Sequence, residues 1–343
     1  MEARRDPAMT DVARLAGVSH QTVSRVINGQ TNVRAQTRLR VTAAMQELGY
    51  RPNRAARALA SGHSDQIGIV AQPTHLFGPA SLLKSVEGAA VQAGFGVSVA
   101  VLAALDRASV EDAVNRHLEQ RVRGIVVIVP VVSAAEAIRD VHTSVPLVMI
   151  GGDRSQEVPC VGIDQVLGGS MATQLLLDAG HETVWHVTGP PDSFDSIDRV
   201  QGWRSALARA GAEVPPVLAG DWSSASGYQA GKMLARIEDV TAVFAANDQT
   251  ALGILRALHE HGRDVPGDVS VVGFDDLPES GFFIPPLTTI RQDFEDVGRR
   301  ALRALLAQIE AEPAPGHELV EPTIVLRDSL APPRPIGRTH AAS

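Results

Sequence analysis

Residues 10–28 read TDVARLAGVSHQTVSRVIN, and this stretch decides the fold of the N-terminal region because it predicts two short helices joined by a tight turn. Thr10 and Ser19 are suitable N-cap residues, since their hydroxyl oxygens can accept hydrogen bonds from the free amides of a first turn. Gly17 can adopt the left-handed conformation that the turn requires. Projected at about 100° per residue, the second helix has one polar and one apolar face. The polar face carries His20, Gln21, Ser24, Arg25 and Asn28, and the apolar face carries Val23, Val26 and Ile27.

A third helix is predicted where apolar residues recur at helical spacing from Val41 to Leu48, before a stop at Gly49. Three helices that share one apolar cluster can form a small domain. On the polar face of the second helix, Gln21 can bond bidentately to adenine and Arg25 to guanine in the major groove. The other interpretation is an amphipathic surface helix whose polar face contacts only water.

The charge distribution favours a nucleic-acid partner for this head. The 343 residues carry a formal net charge of −8, but residues 1–63 alone carry +6 and the remainder −14. Residues 51–63, RPNRAARALASGH, form a basic linker that is too short for a stable free helix. If the linker folds on DNA, Leu59 can insert between base steps in the minor groove; the alternative is a flexible connection.

The rest of the chain has the pattern of a two-lobed α/β protein. Short apolar runs alternate with amphipathic stretches of helical length, which indicates parallel sheets covered on both faces. This pattern is too long for one compact sheet, so we expect two lobes with a cleft between them. The apolar runs are 67–71, 97–101, 124–130, 146–150, 183–187, 242–246 and 269–274, and the helical stretches include 80–93, 110–121, 165–178, 197–210 and 248–261.

Polar pairs follow two of the predicted strands. Asn247-Asp248 and Asp275-Asp276 stand where loops at the carboxyl ends of parallel strands converge on ligands. With Arg199 and the aromatic Trp222, such groups suit a sugar, whose hydroxyls need forked polar partners and whose C–H face needs an aromatic ring. Each pair could instead simply cap the following helix.

Several classes of function are excluded or disfavoured. The single cysteine, Cys160, rules out an intramolecular disulfide and a zinc cluster of several thiolates. We found no Walker A loop, no HExxH motif and no nucleophile elbow around Ser223 to Ser226, so we expect neither an enzyme nor a cofactor. No apolar run approaches the roughly 20 residues of a membrane span, and no secretion signal precedes the head. We therefore expect a soluble cytoplasmic protein.

The head resembles the lactose repressor family of bacterial transcriptional regulators. The resemblance rests on Asp11-Val12-Ala13, Ala16-Gly17-Val18-Ser19, the run from Gln21 to Val26, and Arg51-Pro52-Asn53-Arg54. It implies that His20, Gln21 and Arg25 read bases, and that Leu59 is a minor-groove lever. The family's best-known member has Tyr at the position of His20. The implied DNA-contacting residues are Ser19, His20, Gln21, Thr22, Arg25, Asn28, Thr37, Asn53 and Leu59.

The resemblance continues through the core to about Pro332. It rests on Gly220-Asp221-Trp222-Ser223, Ala246-Asn247-Asp248-Gln249, the run from Val271 to Asp276, and the run from Ile284 to Ile290. It implies a galactoside-type effector. By this resemblance, Arg199, Asn247 and Asp275 would bond the sugar hydroxyls, and Trp222 would stack on the sugar. Gln292 and Phe294 would line the cleft, and Leu76 and Pro79 would form its apolar side. Asp195 would also contact the effector. Two positions depart from the family's best-known member, which has Asp at the position of Gly151 and Ser at that of Asp195.

The resemblance implies a sugar-responsive repressor that binds a pseudo-palindromic operator in double-stranded DNA. We expect a homodimer, because the tail lacks tetramerising leucine heptads and its clustered prolines forbid a helix. Three alternatives remain: a co-repressed regulator of the purine repressor type, a regulator of a different saccharide, and a sugar-binding transport protein. The expected organisation begins with a disordered leader (1–9), a three-helix helix-turn-helix head (10–50) and a hinge helix or linker (51–63). A periplasmic-binding-protein-like core of parallel sheets flanked by helices (64–331) and a disordered tail (332–343) follow. Within the core, lobe 1 is about 64–163 and 293–321, and lobe 2 is about 164–292 and 322–331.

Overall fold

A computed structural model of the chain describes residues 7–27, 32–50, 64–72, 76–104, 106–129, 131–132, 138, 143–152, 158–313 and 315–334. The chain divides into two compact units, a head formed by residues 1–65 and a core formed by residues 66–343.

The head contains three helices: α1 (Met9–Ala16), α2 (His20–Ile27) and α3 (Ala35–Leu48). Gly17 ends α1 at φ 62°, and Gly49 ends α3 at φ 64°, so both glycines occupy the left-handed region that disfavours other residues. The three helices pack around a shared apolar cluster. This confirms the predicted helix-turn-helix head, whose buried residues are Val12, Ala13, Ala16, Val23, Val26, Val41 and Ala44.

The start of the head differs from the sequence-based prediction. Ser19 does precede α2 and accepts a hydrogen bond from the Thr22 amide (3.2 Å). Thr10, however, lies inside α1 and is not its N-cap. The helix begins two residues earlier than a Thr10 cap implies, because the Asp11 carboxylate accepts from the Ala8 amide at 2.9 Å. Met9, which was expected in the leader, is thus the first residue of α1.

The core contains two six-stranded sheets that alternate with helices. The strands are β1 (Gln66–Ala71), β2 (Gly96–Val101), β3 (Gly124–Ile128), β4 (Leu147–Ile150), β5 (Cys160–Ile163), β6 (Trp185–Thr188), β7 (Leu218–Ala219), β8 (Ala242–Ala245), β9 (Ser270–Asp275), β10 (Thr288–Arg291), β11 (Glu318–Val320) and β12 (Thr323–Val325). The first sheet has the order β11-β5-β4-β3-β1-β2 and is parallel throughout. The second has the order β12-β10-β9-β8-β6-β7, with β12 antiparallel to β10.

Helices cover both faces of each sheet, as continuous apolar strands require. These helices are α4 (Phe77–Gln92), α5 (Arg107–Glu119), α6 (Gln165–Asp178), α7 (Phe194–Ala210), α8 (Ser224–Leu234), α9 (Asp248–Glu260) and α10 (Phe294–Ile309). On the first sheet, α4 and α10 bury one face and α5 buries the other. On the second sheet, α8 and α9 bury one face, and α6 and α7 bury the other.

The chain passes between the two sheets at three places: after β5, after β10 and after β11. The amide of Asp164 in the first crossover donates to the carbonyl of Val320 at the third (2.9 Å), so these segments lie side by side. The C-terminal side also corrects one expectation. Residues 332–334 are described, and Arg334 donates to Asp268 at 2.9 Å, so the ordered chain extends beyond residue 331.

Candidate effector cleft and DNA-binding surface

A cavity of about 210 Å³ opens between the two lobes, at the carboxyl ends of the parallel strands. Its position is the one that open α/β sheets use for ligands. All nine effector-contacting residues expected from the sequence line this cavity: Leu76, Pro79, Asp195, Arg199, Trp222, Asn247, Asp275, Gln292 and Phe294.

Arg199 is the buried cation of the cleft. It lies in α7 with only 3% of its surface exposed, and its guanidinium stands 3.7 Å above the centre of the Phe274 ring. Its Nη1 donates to the carbonyl of Ala246, and its Nη2 lies 3.7 Å from the Asp275 carboxylate. Burial lowers the pKa of Arg199, but the negative charges of the nearby carboxylates oppose this effect.

Asp275 is the buried carboxylate opposite Arg199. It ends β9 at φ 106°, a conformation rare for a non-glycine residue, and its Oδ1 accepts from Gln292 Nε2 at 2.6 Å. Burial raises its pKa to about 7, although the Arg199 charge favours the ionised form. The cleft therefore presents a partly desolvated acceptor next to a fixed cation, which is suited to binding neighbouring hydroxyls.

Gln165, the first residue of α6, is a cleft residue that sequence reasoning missed. Its Oε1 accepts from Arg199 Nε at 2.9 Å, and its Nε2 donates to Gln292 Oε1 at 3.0 Å. The sequence offers no local signal for this role, because the role depends on a contact across 127 positions of the chain.

The two members of each polar pair have different contacts. Asn247 lines the cavity and also caps α9, since its Oδ1 accepts from the Thr250 amide at 2.8 Å. Asp248 points away from the cavity and accepts hydrogen bonds from the loop after β9, including one from Ser280 Oγ at 2.6 Å. Asp276 pairs with arginines outside the cavity. Asn247 therefore both caps α9 and lines the cavity, whereas Asp248 and Asp276 make their contacts outside the cavity lining.

The aromatic wall is formed from both lobes. Trp222 sits at φ 70°, and its ring occupies the space that a side chain at Gly189 would need. Asn247 Nδ2 donates to the Trp222 carbonyl at 3.1 Å and so fixes this residue. On the opposite lobe, Phe294 packs edge-to-face against Phe77 with ring centres 5.8 Å apart.

The two departures from the family pattern both lie in the cavity lining. Gly151 has φ 69° and contributes no side chain. Asp195, in the first turn of α7, is half-buried; burial raises its pKa, and the Arg199 charge opposes this. The cavity lining thus has a carboxylate at position 195 and no side chain at position 151.

A backbone contact joins the lobes at the rim of the cavity. Val131 forms an isolated antiparallel bridge with Ser193, and the Val132 amide donates to the Asp192 carbonyl at 2.9 Å. Residues of lobe 1 and lobe 2 are therefore in direct contact across the cleft.

In the head, the expected DNA-contacting residues that are described lie on the accessible side of α2 or next to it. Ser19, His20, Gln21 and Arg25 are exposed, and Thr22 is half-buried; Thr37 of α3 is also half-buried. Asn28, Asn53 and Leu59 lie outside the described residues.

Family models match both units. Residues 8–53 match the description "Bacterial regulatory proteins, lacI family", and residues 173–330 match "Periplasmic binding protein-like domain". The chain is 35% identical to the lactose operon repressor of Escherichia coli strain K12 over 327 residues, which is 94% of this chain and 90% of the relative. The chain belongs to the LacI family of bacterial transcriptional regulators.

Other LacI-family members are similar over nearly the whole chain. The HTH-type transcriptional regulator CelR of Thermobifida fusca is 36% identical over 96% of this chain and its own full length. Among solved structures, a lac repressor dimer bound to operator and the anti-inducer ONPF has a TM-score of 0.86 and 34% identity, covering 95% of this chain and 100% of that chain. A complex of CelR with cellobiose has a TM-score of 0.70 and 34% identity, covering 94% and 99%.

Membership of the LacI family identifies a sugar-responsive transcriptional repressor and not an enzyme. Within the part of the chain that the structure describes, no helix is both long and apolar enough to cross a membrane.

Proposed function

We propose that this LacI-family regulator binds a pseudo-palindromic operator as a homodimer in the cytoplasm and releases it when a galactoside-type saccharide occupies the cleft. The observation that carries the effector half is the convergence of Arg199, Asp275 and Asn247 on one cavity that Trp222 and Phe294 also line. Forked polar groups and aromatic faces together match the alternating hydroxyl and C–H surfaces of a sugar ring.

The charges around the cavity favour an uncharged saccharide. Asp192, Asp195 and Asp275 line it, whereas Arg199 is the only basic residue among the described lining residues. A sugar phosphate or sugar acid would bring an anion towards these carboxylates in a partly desolvated site, where like charges repel strongly. We therefore expect the cleft to reject anionic sugars.

Cellobiose is a second candidate effector. The support is the similarity to CelR, for which a cellobiose complex is known, together with the lack of a side chain at Gly151 in the cavity lining. Glucosides and galactosides differ in the orientation of one hydroxyl, so the same polar and aromatic partners can serve either class.

The effector assignment can be tested by isothermal titration calorimetry without DNA. We expect lactose or cellobiose to bind the wild-type protein and galactose 6-phosphate not to bind. Asp275→Ala should abolish binding, because it removes an acceptor from buried hydroxyls. Asp239→Ala, a change at an exposed carboxylate, is the matched control and should bind as the wild type does. Retained affinity in Asp275→Ala would contradict the assignment of the cleft.

The proposed binding of operator DNA depends on α2. In the proposed complex His20, Gln21 and Arg25 contact base edges, while Ser19, Thr22, Asn28 and Thr37 position the helix on the backbone and Asn53 and Leu59 act from the linker. A dimer places two such helices in successive major grooves, about one helical turn apart.

Two exposed apolar side chains support self-association. Phe282 is 86% exposed and Ile284 is 93% exposed, both in the loop between β9 and β10. Neighbouring large apolar side chains with this exposure are typical of an interaction surface. We assign them to the interface with a second copy, since the similar lac repressor was solved as a dimer.

A further inference from the structure

A directed series of hydrogen bonds runs through the floor of the cleft. Arg199 Nε donates to Gln165 Oε1 (2.9 Å), Gln165 Nε2 donates to Gln292 Oε1 (3.0 Å), and Gln292 Nε2 donates to Asp275 Oδ1 (2.6 Å). Asp275 in turn lies 3.7 Å from Arg199 Nη2, so the four side chains close a ring. All four are buried, with 3 to 7% of their surfaces exposed.

The direction of this ring is fixed by chemistry. Arginine can only donate, and an ionised carboxylate can only accept. Each glutamine amide must therefore turn its oxygen towards the arginine side and its nitrogen towards the carboxylate side. If either amide rotated, two donors or two acceptors would face each other in a buried site, which costs free energy.

The two glutamines stand on the segments that connect the lobes. Gln165 directly follows the crossover after β5, and Gln292 lies in the crossover after β10. The third crossover is joined to the first by the hydrogen bond from the Asp164 amide to Val320. The ring thus links Arg199 and Asp275, which face the effector cavity, to two of the segments that connect the lobes.

We propose that Gln165 is a positioning residue that couples effector occupancy at Arg199 and Asp275 to the arrangement of the lobe crossovers. Its direct neighbours are Arg199 of α7 and Gln292 of the second crossover, so a shift of either effector-facing group is transmitted to a hinge segment. The part of the proposal that concerns induction rests on the proposed release of DNA by a saccharide. The simpler reading, that Gln165 only satisfies buried polar groups, predicts a general loss of stability without a specific effect on coupling.

Two substitutions separate these readings. Gln165→Met keeps the length of the side chain and removes both hydrogen bonds. Gln165→Glu keeps the acceptor for Arg199 Nε but cannot donate to Gln292 Oε1, so it cuts the ring at the crossover alone. Gln174→Met is the matched control, because Gln174 lies on the same helix and its amide bonds only to Asp178 (2.8 Å) at an exposed position.

The first experiment is hydrogen exchange on the ligand-free full-length protein, followed by mass spectrometry. We expect both Gln165 variants to accelerate exchange by about tenfold or more in peptides that span residues 160–168 and 288–296, with little change elsewhere. Gln174→Met should exchange as the wild type does. Unchanged exchange at the crossovers, or a uniform acceleration over the whole core, would overturn the proposal.

The second experiment compares DNA affinity with and without saturating lactose or cellobiose. In Gln165→Glu we expect the effect of the saturating effector on DNA affinity to shrink by at least about fivefold, the lower end of usual allosteric coupling. Because the effector is saturating, a change in its own affinity does not enter this comparison. An undiminished effect would overturn the coupling role. If neither saccharide releases DNA from the wild type, the proposed function fails, whereas the exchange experiment still decides the role of Gln165.

Discussion

Asp275 carries a charge whose presence depends on pH near neutrality. Burial raises the pKa of Asp275 to about 7 and the pKa of Asp248, which lies behind it, to about 6. Arg199 holds a positive charge. His186 stays neutral, because burial lowers its pKa to about 3. Asp195 is also shifted upwards by burial. Among these groups, Asp275 is the acceptor best placed to titrate in the cleft between pH 6 and 8.

We predict that effector affinity falls by up to about tenfold when the pH is lowered from 8 to 6, because the ionised fraction of Asp275 falls by about that factor.

The stability of the folded protein should change in the opposite sense. The folded-state pKa lies above the unfolded value, so the folded protein binds the proton more tightly and stability declines as the pH rises from about 4 to 7. Calorimetric titrations between pH 6 and 8 test the trend in affinity, and thermal melts between about pH 4 and 7 test the trend in stability. Asp275→Asn should remove most of the pH dependence of effector affinity. A pH-independent affinity in the wild type would contradict the assignment of Asp275 as an effector-binding carboxylate that titrates in this range.

The ring of Trp222 depends on the absence of a side chain at Gly189. A Cβ at this position would overlap the indole, so Gly189→Ala should displace Trp222 and weaken saccharide binding by roughly two- to tenfold, the usual range for one aromatic contact. DNA affinity should not change. Gly88→Ala is the control: a Cβ there meets no atom within 4 Å, and alanine stabilises a helix interior by about 0.5–1 kcal/mol. Equal saccharide affinities in the two variants would show that Trp222 does not contribute to saccharide binding.

Single residues of the cleft were predictable to different degrees. Asp275 and Asn247 follow predicted strands, so topology alone placed them at a ligand-binding edge. Arg199 and Trp222 were named for their side-chain chemistry, and the resemblance then gave each a role in the cleft. Gln165 was missed, because a glutamine at the start of a helix has no distinctive local pattern. Its role arises only when two crossovers are brought side by side.

At the scale of elements, α2 is the helix on which the DNA half depends. Arg25→Ala should cost roughly 1–3 kcal/mol of operator binding and relax base discrimination at one position, if the guanidinium reads guanine. Arg14→Ala, which removes an exposed charge from α1, should at most weaken binding to all sequences equally. Anisotropy titrations against single-base operator variants measure the difference. An unaltered order of preference in Arg25→Ala would assign this side chain to phosphates.

Strongly apolar strands were recognised from the sequence, and short or polar ones were not. The runs that became β1, β3, β4, β6, β8 and β9 are almost wholly buried, and β2 was recognised as well, although Val99 and Val101 on this edge strand are exposed. By contrast, β7 has two residues, β10 reads Thr-Thr-Ile-Arg, and β11 and β12 are edge strands of three residues each. β10 lies between β9 and β12, and the other three lie at sheet edges. These segments are strands because neighbouring strands offer hydrogen-bonding partners, which is a tertiary effect that local propensity does not contain.

At the scale of the whole molecule, we predict a homodimer in solution that depends on Phe282 and Ile284. Replacing both with Asp should yield a monomer, because each charge would have to be desolvated in the interface. The control is Val214→Asp, a change at a partly exposed valine elsewhere on the same lobe. Size-exclusion chromatography with light scattering distinguishes one, two and four chains. A tetrameric wild type, or a dimeric double variant, would contradict this assignment.

The central claim is that occupancy of the cleft by an uncharged saccharide controls operator binding by the head. The most direct measurement is fluorescence anisotropy on the DNA upstream of the protein's own gene, at a stated salt concentration, with and without lactose or cellobiose. We predict tight binding that one of these saccharides weakens by roughly 5- to 150-fold and that galactose 6-phosphate leaves unchanged. Tight binding that the saccharide strengthens, as in a co-repressed regulator, or that neither saccharide alters would contradict the account.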